Sequence, residues 1–221
     1  MWRLLSSPAR FYDSRRSEPA DWQTAAAAPL LCAVLQGIGA LVVGARTRPA
    51  IEEALAGRFG RTGLPSEYVM AVVSALSYPM LFGVLTLAML ALNALARTPG
   101  PADRLTEFTA LGFYTQVPHA VLAIALAWIW EPDAMRLPAG ASTAEFLVAL
   151  NHYRDTLLSG PLPSTVRLLS VYSLIWLAAV LSMALKVTTK APRGTTVAAC
   201  VALLTICVGP PMVGMLLEIV R

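Results

Sequence analysis

The stretch LGFYTQVPHAVLAIALAWIW, residues 111–130, decides how the rest of the chain is read. A helix of that length rises about 30 Å, the thickness of a bilayer's hydrocarbon core. No Asp, Glu, Lys or Arg interrupts it, so it has the length and the polarity of a membrane span. Yet Gln116, Pro118 and His119 stand near its start. An amide, a helix breaker and an imidazole this close together call for a site or a bend.

Composition settles the environment. Of 221 residues, 57% are apolar and 14% charged, and the mean hydropathy is +0.63. Soluble domains carry about 25% charged and roughly 45–50% apolar residues, so this is the composition of a membrane protein. The net charge of +4 suits a face against anionic lipid headgroups. The arginines are scattered between apolar runs and form no stripe, so nucleic acid is not an expected partner.

Further runs resemble the first. Spans are expected at about 25–45, 68–96, 108–130, 166–185 and 195–220, each nearly free of charge. Only a helix satisfies its own backbone in lipid, so the expected fold is all-α, a five-span transmembrane bundle. Residues 1–24 precede it as a cytoplasmic segment, and residues 25–221 form the membrane domain. The first span begins too late and runs too long for a cleavable signal, and is read as a retained anchor. Pro79, Pro210 and Pro211 should kink their helices by removing a backbone donor.

Short amphipathic surface helices are expected between spans. In TAEFLVALNHYRDTLLSG, Phe146, Leu150, Tyr153 and Leu157 form one helical stripe between spans three and four. PAIEEALAGRF repeats the pattern more weakly between spans one and two, with Ile51, Leu55 and Phe59. SSPARFYDSRR has a cap serine and a first-turn proline, then Phe11 and Tyr12 ahead of Arg15 and Arg16. It reads as a surface helix anchored by aromatics, its arginines toward phosphates. Counting Lys and Arg gives nine on the N-terminal side and eight on the other, in longer segments. The denser side is inside, which places the N-terminus in the cytoplasm and the C-terminus outside.

Intramembrane polar groups are the first place to look for function. The spans offer Gln36, Asn93, Gln116 and His119, while Glu107, Glu131 and Glu218 fall at span ends, within reach of water or headgroups. No paired carboxylates, metal-spaced histidines or phosphate loop appear, so no catalytic, cofactor-binding or metal residue is assigned and no cofactor is expected. Cys32, Cys200 and Cys207 read as buried thiols. The candidate cluster is Tyr114, Gln116, Pro118 and His119. Gln116 and His119 share a helix face. They could relay a proton or ligand, or they could bond to a neighbouring helix or water, with Pro118 freeing a carbonyl near Tyr114 for such a partner. Ala33 with Gly37, and Ala40 with Gly44, make small-residue pairs for close helix approach in span one.

Three passages resemble one family. LLSSPARFYDSRR followed by DW is similar to the start of bacterial Yip-domain proteins, which share a Pro-x-x-Phe-aromatic element. RLTEFTALGFYTQVPHAVL resembles their middle, with a Tyr-x-x-x-Pro element at Tyr114 and Pro118. LIWLAAVLSMALKVTTKAPRGTTVAACVALL is similar to their fourth span, lysine-bearing turn and last span. The resemblance implies a multispan membrane protein with a cytosolic N-terminus. Eukaryotic relatives bind Rab-type GTPases, but the segment ahead of the first span here is short, which puts that binding in doubt. Some bacterial members act beside ATP-driven exporters. The family implies no catalytic residues.

The expected function is therefore non-enzymatic: a scaffold or accessory subunit of a transport or envelope complex in the bacterial inner membrane. Its expected partners are the lipid bilayer and another membrane protein or a second copy. The alternative is a small transporter or lipid-handling protein, its broken helices gathered around Gln116 and His119.

Overall fold

The computed structural model describes residues 2–56, 67–132, 142–190 and 192–220. Side chains at 50, 51, 53–56, 143, 146, 147, 150, 154, 157–159, 193 and 210–220 lie outside the description. Among the described residues the chain is helical, without a strand. Two short helices come first, α1 (Trp2–Ser6) and α2 (Pro8–Arg15). They are followed by α3 (Trp22–Ala56), α4 (Glu67–Ala94), α5 (Ala102–Gly112), a 3-10 turn (Phe113–Gln116), α6 (Val117–Ile129), α7 (Thr143–Ser159), α8 (Pro161–Thr189) and α9 (Arg193–Val220).

Four stretches are long and apolar enough to cross a membrane: Trp22–Pro49, Glu67–Ala94, Ala102–Ile129 and Pro161–Thr189. They correspond to the first four expected spans. The backbone of α9 runs to Val220, but its described apolar stretch is Gly194–Gly209, shorter than a span. The remainder of the expected fifth crossing, with Pro210, Pro211 and Glu218, carries side chains outside the description.

Local chemistry sets the boundaries. Ser142 opens α7 with a full capping box: its hydroxyl accepts from the Glu145 N–H, and Glu145 accepts from the Ser142 N–H. Proline in the first turn opens α8, where a missing N–H costs nothing. Lys190 ends α8 at φ 54°, the left-handed position usually taken by glycine.

Burial sorts the helices into centre and flank. The most apolar windows of the α5–α6 stretch and of α8 are each 44% buried, against 22% for α3 and 17% for α4. The first two therefore form the centre, and α3 and α4 turn most of their surface outward. Val73, Leu76, Met80 and Leu87 stand exposed along α4. Between α3 and α4 the small-residue reading holds. A Cβ on Gly37 would lie 3.4 Å from the Ala71 carbonyl oxygen, and one on Gly44 would lie 3.0 Å from Glu67 Cβ. The backbones approach closely because glycine permits it.

The third span bends at Pro118 as expected: two helices are joined by the 3-10 turn, because Pro118 cannot supply the next α-type hydrogen bond. Three expectations need correction. The surface helix expected between spans one and two is not separate. α3 continues through Pro49 to Ala56 without a break, and Phe59 lies outside the described residues. Tyr12, expected as a surface anchor, is 0% exposed and Leu4 is buried, both within the bundle core, where the Tyr12 ring packs on Phe108 of α5. Glu107, expected within reach of water, is 1% exposed. Along the surface stripe expected in α7, only Tyr153 has a described side chain, and it is buried.

Candidate functional site

The kink is the first feature to build. Proline at 118 deprives the Tyr114 carbonyl of its α-helical donor. The chain tightens into a 3-10 turn, and the Val117 N–H bonds to Tyr114 instead. The Phe113 carbonyl accepts from the Cys32 thiol at 3.3 Å, so the bend is satisfied from α3 as well. The Phe113 ring meets Tyr78 and Phe82 of α4 edge-on, with centroids 6.1 and 5.8 Å away. Helices α3 and α4 thus clamp the bend.

The four predicted residues part company here. Gln116 is buried, donates to the Ser173 carbonyl at 2.8 Å and accepts from the Ser173 hydroxyl at 3.0 Å, joining the turn to α8. The Tyr114 hydroxyl donates to the Thr24 carbonyl at 3.0 Å, tying the turn to the start of α3. Pro118 faces outward. Of the four, only His119 lines an open space. Both its ring nitrogens are shielded from solvent and neither has a hydrogen-bond partner, although the Val166 carbonyl lies nearby.

That space is a groove of about 640 Å³ between α3, α6 and α8, edged by α4. Gly39 and Ala40 of α3 and Ala123 and Ala127 of α6 line it, all with small side chains. From Gln36 to Thr47 on α3 the groove extends about 16 Å at 1.5 Å per residue. Trp130 and Pro163 mark one end, His119 the other. Arg167 and Ser170, three apart on α8, line the wall.

A second polar centre escaped sequence reasoning. Glu107 on α5 receives the Asp21 N–H at 3.2 Å and a hydrogen bond from Arg104 one turn away. Arg15 Nη1 approaches it at 3.9 Å, in ion-pair range. Asp21 in turn caps α3 by accepting the Thr24 N–H at 3.1 Å. The bonds from Thr24, assisted by the Arg15 charge, hold the Asp21 carboxyl below its ordinary value. Beside this cluster the Tyr12 hydroxyl donates to the Phe108 carbonyl at 3.2 Å, and the rings lie 4.7 Å apart. Burial pushes the Tyr12 phenol well above its ordinary value. The legible signal was Arg104 with Glu107 at i, i+3, the carboxylate standing next to Phe108 on an otherwise apolar face.

Chemically, the two centres differ. The Glu107 cluster is closed and fastens the N-terminal helices to the bundle. The groove is open and apolar along most of its length, and the imidazole at its end keeps both nitrogens shielded. Among the described residues no group of three or more His, Cys, Asp or Glu side chains could hold a metal ion.

Residues 2–213 match the family model described as the Yip1 domain. No curated protein and no solved structure matches the chain.

Proposed function

The chain belongs to the Yip1-domain family of membrane proteins, and from that premise we propose that it acts by association, as a non-enzymatic scaffold or accessory subunit of a membrane transport or envelope complex. One observation carries this reading: the polar side chains within the spans are mostly spent on neighbouring backbone. Gln116 bonds α8, Cys32 bonds the kink, and Asn93 exchanges two bonds with Gly100 at 2.9 and 3.0 Å. A bundle cross-linked in this way is rigid, and its α3 and α4 flanks offer broad apolar surface for lateral contact. The partner is another membrane protein, an ATP-driven exporter among the candidates, or a second copy of the chain. We place it in the bacterial cytoplasmic membrane, as the family resemblance implies, with five crossings from its five apolar runs, and the Lys and Arg distribution supports the N-terminus inside and the C-terminus outside.

Extraction of the tagged chain in native nanodiscs, followed by mass measurement of the particles, tests the proposal. A stoichiometric membrane-protein partner or a defined homo-oligomer is expected. Repeated recovery as a lone monomer overturns it.

The groove favours a second reading, a small transporter or lipid-handling protein. A shielded imidazole without a protein partner is expensive in hydrocarbon unless something supplies its hydrogen bond. On this reading His119→Leu abolishes transfer of the handled molecule between vesicles; on the scaffold reading it changes stability only slightly.

A further inference from the structure

We infer that the hollow of about 210 Å³ where α6 ends and α8 begins binds the ammonium of a phosphatidylethanolamine headgroup, with Glu131 as its counter-ion. One acyl chain of the same lipid runs into the adjoining groove between α3, α6 and α8. The inference names the headgroup for the lipid-handling reading and rests on that reading only for the chain's place in the groove.

The sign of the lining selects a cation. Among the described residues, Glu131 is the one ionisable side chain on the hollow. It is exposed, and no hydrogen bond or ion pair to a described residue engages it. Thr156 and Gly160 bring the last turn of α7 to the hollow, a helix C-terminus with its partial negative charge and outward carbonyls. The start of α8 offsets little of this. Pro161 and Pro163 have no N–H, and the Ser164 N–H is spent on the Gly160 carbonyl at 3.0 Å. The acceptors also select the kind of cation. Quaternary ammonium groups are held in aromatic cages, and Trp130 is the one aromatic residue among those described here. A primary ammonium has three donors to place, on the Glu131 carboxylate and the α7 carbonyls.

Size and continuity select the rest of the molecule. About 210 Å³ is less than the roughly 300–1,000 Å³ of single-ligand sites, so the hollow holds a group and not a whole ligand. Trp130, Leu162 and Pro163 line both the hollow and the groove, which takes the remainder. The depth agrees. Two spans have their ends here, at Ile129 and Pro161, where headgroups lie. Arg46 sits over the exposed Trp128 ring at 5.9 Å from its centroid, an aromatic and a cation of the kind that mark that level. From there the groove runs inward toward His119, and its apolar lining covers hydrocarbon.

The test places the full chain in nanodiscs of equimolar phosphatidylethanolamine, phosphatidylcholine and phosphatidylglycerol, then strips it with detergent. Native mass spectrometry counts the lipid each particle retains. Phosphatidylethanolamine is expected in roughly three- to fivefold excess over phosphatidylglycerol, the weight of one exposed ion pair, with phosphatidylcholine between them. Glu131→Gln should erase most of that excess, and Glu131→Lys should reverse it. Glu131 has no partner among the described residues to lose, so both variants should keep the wild-type thermal midpoint in lipid-free detergent. Ala123→Phe, which narrows the groove and leaves Glu131 in place, should lower retention of the ethanolamine lipid as well. Retention in proportion to bulk composition overturns the inference, and so does phosphatidylcholine held as well as phosphatidylethanolamine or an unchanged excess in Glu131→Lys. Displacement of the lipid by free ethanolamine as readily as by lysophosphatidylethanolamine also overturns it, because the head alone is then the ligand. Selective retention without transfer of phosphatidylethanolamine between vesicles upholds the site and sinks lipid handling. Transfer without selective retention does the reverse.

Discussion

Replacing Glu107 by alanine removes the one carboxylate that Arg104, Arg15 and the Asp21 N–H share. The side chain of Glu107 is 1% exposed, and those of Arg104 and Arg15 are 12% and 25% exposed. Breaking a fully buried pair by removing one partner costs about 3–5 kcal/mol. The two guanidiniums here recover some water, so the lower end applies, about 3 kcal/mol. Much of that loss falls on the docking of α1 and α2, because Arg15 ends α2 and Asp21 lies in the link from α2 to α3. A loss of about 3 kcal/mol raises the population of the undocked N-terminus roughly a hundredfold. Limited trypsin digestion of the chain in nanodiscs reads this directly, since cleavage after Arg15 or Arg10 requires α2 to open. Glu107→Gln keeps the shape and an acceptor for the Asp21 N–H but loses the charge. It should cost about 1 kcal/mol, the difference between charged and neutral hydrogen bonds, and speed cleavage only several-fold. Equal cleavage of wild type and Glu107→Ala refutes the reasoning. Equal acceleration by both variants shows that the charge is not what holds the segment.

Gln116→Leu removes the bonds to Ser173 and should destabilise the bundle by about 1–2 kcal/mol, whereas His119→Leu removes no protein partner and should leave the thermal midpoint unchanged or raised. Paired melts in detergent check the contrast; a larger loss at His119 would reverse the roles given to the two side chains. Gly100→Ala places a Cβ 2.7 Å from the Thr188 carbonyl oxygen, backbone that cannot swing away, and should cost about 1–3 kcal/mol by overpacking. A denaturant midpoint equal to wild type would show that the 97–101 turn yields freely. The buried Tyr12 phenol holds its proton above the ordinary tyrosine range, while the unfolded chain releases it. The stability this contributes is therefore full below about pH 10 and lost as pH rises further, so alkaline unfolding should come later in Tyr12→Phe than in wild type. Ultraviolet titration against that variant gives the readout.

The first four spans were legible because lipid imposes a simple demand: every backbone group bonded within a helix of fixed length, with little charge along it. Expected bounds of 68–96 and observed Glu67–Ala94 differ by a turn at most. The bend at Pro118 was legible for the same kind of reason, since a missing N–H has a local consequence wherever it occurs. So was the close approach at Gly37 and Gly44, where absent side chains leave backbone free to meet backbone.

Which polar groups belong together was decided only by the tertiary fold. Gln116 and His119 share a helix face at three residues' separation, yet the 3-10 turn rotates one onto Ser173 and the other into the groove. Glu107 looked like a span-end carboxylate until Arg15 and Asp21 arrived from more than eighty positions away in the chain. Tyr12 looked like a surface anchor until Phe108 offered it a ring and a carbonyl. Hydrophobic periodicity reports how each helix meets lipid, a one-dimensional property of the residues in that helix. Hydrogen bonds and ion pairs depend on atoms a few ångströms apart, and that proximity exists only once the helices have packed.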